Sequence, residues 1–165
     1  MSTHAMRYRL AVVLAAGVVS VAPAASAQTT PVPDERAEVL AVVQRLWDGM
    51  KARDTAMVRS VFDTAATLSR VVNRGGVASI QYTPISGFIE ALGRSNDQWN
   101  ETMYSPEVRI DGPLATVWTE YDFHLGTRFS HCGVDAFQLL KTSAGWKVIA
   151  IADTAKREGC PARAK

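Results

Sequence analysis

The run from Ala115 to Asp153 constrains this chain more than any other. Val117 to Leu125 alternates apolar and polar side chains, Gly126 and Thr127 supply a two-residue turn, and Arg128 to Leu140 resumes the alternation. Gly145 then opens a third run, Trp146 to Ile151. A two-residue glycine turn joins antiparallel neighbours, so three consecutive antiparallel strands are predicted as the wall of a small curved sheet. The cover for that wall has to come from the earlier part of the chain.

That earlier part carries helical and extended signals in turn. Asp34 reads as an N-cap, and Val39, Val42, Val43, Leu46, Trp47 and Met50 recur along one helical stripe. Asp54 opens a shorter second helix whose Met57, Val58, Val61 and Phe62 share a side. From Thr67 the period changes. Leu68 to Asn73 and Val77 to Tyr82 flank Arg74-Gly75-Gly76, a hairpin whose glycines permit the positive φ of a tight turn. After Thr83-Pro84, Ser86 is expected to cap a third helix bearing Phe88, Ile89 and Leu92, and Gly93 to end it. Trp99 to Asp111 makes a long strand with Trp99, Glu101 and Met103 on one side, and Gly112-Pro113 turns it into the wall. The predicted order is helix, helix, strand, strand, helix and four strands, one domain over residues 34–155 with a tail at 156–165.

Before that domain lies a different composition. Arg7 and Arg9 precede an apolar run from Leu10 to Val21, and Ala25-Ser26-Ala27 is a small-x-small site. Residues 1–27 therefore read as a signal peptide cleaved after Ala27, which predicts a periplasmic or secreted protein. The apolar run is short of the roughly 20 residues a spanning helix needs, so no membrane association is expected after cleavage. Residues 28–33 are a polar lead-in. Cleavage removes two arginines and no acid, taking the chain from 18 basic and 16 acidic residues to 16 of each. That balance offers no concentrated basic patch, and nucleic acid is not an expected partner.

Cys132 and Cys160 both fall in the exported part, where a disulfide persists. Pairing them closes a loop of about 29 residues and stabilises by roughly 3–4 kcal/mol in the chain-entropy model. Antiparallel pairing through the last turn sets Ala155 opposite Cys132, leaving five more residues to bring Cys160 back. Two free thiols are the alternative. Separated cysteines lack zinc-ligand spacing.

Taken from the Gly126-Thr127 turn, an unbroken register pairs His124 with Phe129, Asp122 with His131, Glu120 with Gly133 and Trp118 with Asp135, all on one face. Phe137, Leu139, Val148 and Ala150 continue it. The other face receives Val117, Tyr121, Phe123, Cys132, Val134, Leu140, Ile149 and Ile151. Either the mixed face lines a ligand pocket, or the apolar face is the core and the mixed face is wet.

Asp54-x-x-Met57 before Phe62 and Ala65, the entry Gly112-Pro113-Leu114-Ala115-Thr116-Val117, and Val134-Asp135-Ala136-Phe137-Gln138-Leu139 followed by Gly145-Trp146-Lys147-Val148-Ile149 resemble the nuclear transport factor 2-like superfamily. Within it, the SnoaL-like and putative lumazine-binding branch is the most similar, over residues 34–153. The resemblance implies an α+β cone: three helices from the N-terminal half packed on a strongly curved antiparallel sheet, a cavity at the wide end, and a homodimer formed through the sheet's outer face. It favours the mixed face as the cavity lining. In the steroid isomerases of this superfamily a tyrosine on the first helix and a carboxylate on the first strand carry proton chemistry. This chain offers Trp47 on that helix and Ser69 and Arg70 on that strand, which does not support that activity.

The candidate ligand-binding residues are accordingly Trp47, Trp99, Met103, Trp118, Glu120, His124, Asp135 and Phe137. For proton transfer the candidates are Asp135 and an Asp122–His131 pair, in which the carboxylate holds the imidazole and raises its pKa. Large apolar residues at these spacings also serve as plain core, and Glu120, Asp122 and His124 also suit a solvated strand face. Asp122, His124 and His131 have acceptable metal-donor types but nothing that establishes their convergence, and no phosphate loop, nucleophile motif or dinucleotide fingerprint occurs, so neither metal nor cofactor is expected. The leading expectation is an exported domain binding a small, partly apolar molecule. The alternatives are a cofactor-free isomerase, dehydratase, cyclase or hydrolase, and a dimeric interaction module with a vestigial cavity.

Overall fold

The Asp34 carboxylate accepts a hydrogen bond from the Arg36 N–H at 3.0 Å and starts α1 (Glu35–Ala52). The computed structural model describes residues 34–163, so the expected signal peptide and lead-in lie outside the described residues. α1 ends on Arg53, whose left-handed backbone (φ 56°) turns its N–H onto the Gly49 and Met50 carbonyls. Asp54 caps α2 (Thr55–Val61) by accepting from Ala56 and Met57 N–H. Both caps were legible because an aspartate before an apolar helical stripe satisfies otherwise unpaired N–H groups.

α2 runs directly into β1 (Phe62–Arg74), which begins earlier than its alternation suggests. The cause is a register irregularity between Phe62 and Thr67 that masks the period. β1 turns through Gly75-Gly76 into β2 (Val77–Thr83). α3 (Ile85–Arg94) follows Pro84 with no side-chain cap, so Ser86 lies inside its first turn and Gly93 inside its last. Proline's fixed φ sets the helix entry without a capping hydroxyl. The meander is β3 (Trp99–Asp111), β4 (Leu114–Leu125), β5 (Arg128–Thr142) and β6 (Gly145–Thr154).

These strands form one six-stranded sheet in the order β2-β1-β6-β5-β4-β3. All neighbours are antiparallel except β1 and β6, which run parallel, so the sheet is mixed rather than antiparallel throughout. Hairpin turns announce pairings between successive strands, whereas the meeting of first and last strands has no local signal. Bulges at Ser105–Pro106, Ser130 and Ile149 bend the sheet. α1 lies in the resulting concavity, packed against β3 and β6. Val39, Val43 and Leu46 bury there with Val117, Leu139 and Val148 as the main core. Arg36 pins the helix by donating to the Pro106 and Val108 carbonyls on bulged β3.

Cys132 and Cys160 are bonded, with Cα atoms 6.0 Å apart. The residue opposite Cys132 is Lys156, each donating its N–H to the other's carbonyl at 2.9 Å, rather than the expected Ala155. The extra Ile149 in β6 accounts for the one-residue offset. Beyond the disulfide, the Arg163 guanidinium lies 4.2 Å from the Tyr104 ring centroid and pairs with Glu120 at 2.6 Å.

Candidate functional site

One extra residue decides which side chains meet inside. β4 and β5 pair as the turn dictates through His124 and Phe129. Ser130 then bulges, and from there Phe123 faces His131, Asp122 faces Cys132, Thr119 faces Asp135 and Val117 faces Phe137. Because side chains alternate with period two, a single inserted residue exchanges the faces of everything beyond it. His131, Asp135 and Phe137 consequently share the concave face with Tyr121 and Phe123. Trp118, Glu120, Asp122 and His124 occupy the convex one.

The expected Asp122–His131 pair therefore does not form, and the trio with His124 is divided between faces. Trp118 is 55% exposed. Glu120 and Asp122 lie toward Arg163, with the Asp122 carboxylate 3.8 Å from its Nε, and His124 stands edge-on to Phe129 at 5.4 Å. Met103 packs on the core instead of lining the cavity. Trp47, Trp99, Asp135 and Phe137 do face it.

The cavity has a volume of about 380 Å³. Its walls are Trp47 of α1, Phe88 of α3, Trp99 of β3, Leu68 of β1 and Phe123 and Phe137 of the meander. Phe88 and Phe123 meet Trp99 edge-on, with centroids 5.6 and 6.1 Å away. Against this apolar lining stand six titratable groups, one or two from each of β1, β3, β4, β5 and β6: Arg70, Glu101, Tyr121, His131, Asp135 and Asp153.

Both contacting nitrogens of Arg70 go to Asp153 Oδ2, Nε at 2.7 Å and Nη2 closer still. The Tyr121 hydroxyl donates to the Thr154 carbonyl at 2.8 Å and lies 3.4 Å from Asp153. Burial and the nearby carboxylates of Asp153, Asp135 and Glu101 hold that phenol protonated well above its ordinary range. Tyr121 can lie so deep because residue 133 is glycine. A Cβ there would stand 1.9 Å from the Thr154 carbonyl oxygen and 2.9 Å from the tyrosine ring.

Glu101 and Asp135 form a carboxyl pair. Burial pushes Asp135 up to about 7 against its ordinary value of 3.8, the hydrogen bond with Glu101 opposing the rise and the charge of Asp153 adding to it. Glu101 is held well above its own range by burial and by Asp135. Neighbouring carboxyls on a largely apolar wall, Asp135 buried and Glu101 half-buried, share a proton because like charges there resist ionising together. His131 moves the other way, down to about 4, through burial and the neighbouring Arg70. Its neutral ring leans on Phe123 at 4.9 Å with Ser130 Oγ 3.0 Å from Nδ1. The expected rise in its pKa required Asp122, which is on the far side of the sheet.

Arg70, Glu101, Tyr121 and Asp153 were not among the candidates. Glu101 was visible on the Trp99 side of its strand, whereas Asp153 lies beyond the last strand as alternation bounds it. Arg70→Met is expected to lower stability by about 2 kcal/mol at pH 7, read by urea denaturation. Stranding a buried carboxylate costs more than that in full, but Arg70 is 42% exposed and water replaces part of the loss. Among the described residues, no group of three or more His, Cys, Asp or Glu side chains is arranged to hold a metal ion. None of their helices is long and apolar enough to cross a membrane.

Helices over the concave face of a bent sheet, with a cavity among them, define a nuclear transport factor 2-like protein. Solved structures of that fold superpose well. A protein of this type from Shewanella baltica matches with a TM-score of 0.59 at 20% identity, covering 79% of this chain and 100% of its own. One from Novosphingobium aromaticivorans, described as having a cystatin-like fold, gives 0.62 at 11% identity over 77% of this chain and 84% of its own. A protein of unknown function from Mycobacterium tuberculosis gives 0.62 at 13% identity over 76% and 73%. The chain belongs to the family described as "Putative lumazine-binding", whose sequence profile matches residues 34–152. None of the curated proteins compared with it matches significantly.

Proposed function

We propose that this protein is an exported domain that binds a small, partly apolar molecule in the cavity under α1. The observation that carries this reading is the cavity's construction: aromatic walls, with a few convergent polar groups gathered along one side, as ligand sites are built. The family description, which names a bicyclic heteroaromatic ligand, supports the same class of molecule. Export is supported by the leader-like residues 1–27 and by the disulfide. A homodimer through the convex face is part of the same reading. Small residues there, Ser69, Ala136, Ala150 and Ala152, border exposed Trp118 and would let a second sheet approach closely.

Thermal-shift screening of flat aromatic compounds, lumazine included, tests the reading. A ligand present at about 100 times its Kd stabilises by about 2.7 kcal/mol, a rise of several degrees in melting temperature. The expected result is a hit whose shift is lost on filling the cavity with Ala91→Phe. No hit across such a library overturns the reading.

A second reading is favoured by one observation, the buried Asp135 carboxyl in the cavity wall with Glu101, where burial pushes its acid up to about 7. A group of that kind accepts and returns protons efficiently at physiological pH. On that reading the bound molecule is a substrate for isomerisation, dehydration, cyclisation or hydrolysis. Turnover of an identified ligand that survives Asp135→Asn excludes it.

A further inference from the structure

The polar side of the cavity is unbalanced in charge. Three carboxyls, Glu101, Asp135 and Asp153, stand there with one guanidinium, and the Arg70 contacts both end on Asp153. Arg70 opposes the rise at Glu101 and Asp135 only from a distance, and neither carboxyl has an ion-pair partner among the described residues. Asp135 is 5% exposed and Glu101 half-buried, so water relieves an ionised pair only from the Glu101 side. No other element supplies a countercharge. The cavity residues of α1 are Leu46, Trp47 and Met50, those of α3 are Gly87, Phe88 and Ala91, and those of β2 are Gln81 and Thr83. Tyr121 from β4 is a neutral phenol, and His131 from β5 is a neutral imidazole at pH 7.

We propose that the cavity selects a planar organic cation bearing N–H donors, an amidinium, guanidinium or protonated amino-heteroaromatic group, with those donors on the Glu101 and Asp135 carboxyls and its ring among Trp47, Phe88 and Trp99. This rests on the cavity being a ligand site and adds the sign of charge it accepts. Paired carboxyls present adjacent acceptors to a planar donor edge, the match that makes such ion pairs strong. Aromatic walls add attraction wherever the cation lies over a ring face. An anion meets no unpaired cation among the cavity residues, because the charge of Arg70 is already paired with Asp153.

Entry of the cation expels the proton that Glu101 and Asp135 share, so binding releases one proton and affinity climbs with pH. Between about pH 6 and pH 8 the rise is on the order of tenfold. Calorimetry on the exported chain with benzamidine, benzamide and benzoate tests this, in two buffers of different ionisation enthalpy at each pH. Benzamidine is expected to bind about tenfold tighter than benzamide, since two charge-assisted hydrogen bonds together exceed two neutral ones by at least the roughly 1.4 kcal/mol that tenfold represents. Benzoate is expected not to bind. Asp135→Asn, its fold checked by circular dichroism, is expected to lose both the preference and the pH dependence. Benzamide binding as well as benzamidine overturns the cation proposal while leaving the cavity as a ligand site. Benzamidine binding unchanged in Asp135→Asn and in Glu101→Gln overturns the placement. Silence from all three, together with an empty aromatic screen, overturns both.

Discussion

Asp135→Asn is expected to make the protein more stable than the parent at pH 8, by up to about 4 kcal/mol, and to leave stability near pH 4 little changed. Asp135 has its folded pKa raised, from 3.8 to about 7, by burial that Glu101's hydrogen bond only partly offsets. A raised acid contributes stability that is complete below the unfolded value and is lost as pH climbs from there through the folded value. Carrying the group from 3.8 to about 7 corresponds to about 4 kcal/mol at about 1.4 kcal/mol per pH unit. That is an upper figure, because Glu101 shares the proton. Asparagine has nearly the same shape, keeps an N–H toward Glu101 and never ionises. Urea denaturation at pH 4, 6 and 8 reads the effect as a parent curve that falls with pH and a variant curve that stays flatter. A variant no more stable than the parent at pH 8 would show that the pair is not holding a proton.

Gly133→Ala is expected to cost at least about 3 kcal/mol, lowering the melting temperature by roughly 10 °C. The added methyl would fall 1.9 Å from the Thr154 carbonyl oxygen, which is backbone and cannot rotate away. That oxygen accepts the Tyr121 hydroxyl, and Thr154 Oγ1 accepts the Val134 N–H, so relief of the clash breaks bonds on both sides. Tyr121 must also retreat from a contact of 2.9 Å, which disturbs the cavity where it borders Asp153. Chemical denaturation measures the first effect and near-ultraviolet circular dichroism of the tyrosine the second. A stability loss below 1 kcal/mol would mean that the end of β6 is free to move.

Much of the architecture could be read from the chain because its signals are local. Aspartates before helical stripes, glycine pairs between alternating runs and the Gly126-Thr127 turn each act over a few residues, and the elements they predict are present. The resemblance to the nuclear transport factor 2-like superfamily pointed to the right fold. Faces were harder. A bulge at Ser130 or Ile149 carries no glycine or proline to announce it, and an unbroken register placed Trp118 beside Asp135 when Ala136 is its partner. Asp135 lies inside with His131, while Glu120, Asp122 and His124, its apparent neighbours, lie outside. The Arg70–Asp153 pair joins residues on the parallel strands, 83 positions apart, where periodicity gives no guidance.

The last residues read as an afterthought to the domain, yet they act as a strap. Lys156 extends the ladder beside Cys132, the disulfide fastens the chain at Cys160, and Arg163 settles over Tyr104 between two acids. A version shortened after Ala155 would keep every strand and helix. It would also leave a solitary thiol at position 132, three residues from Asp135, and strip the cover from the β3–β4 end of the convex face. Where this protein is trimmed thus decides whether its outer surface is finished or raw, and any second copy docking there would meet a different molecule.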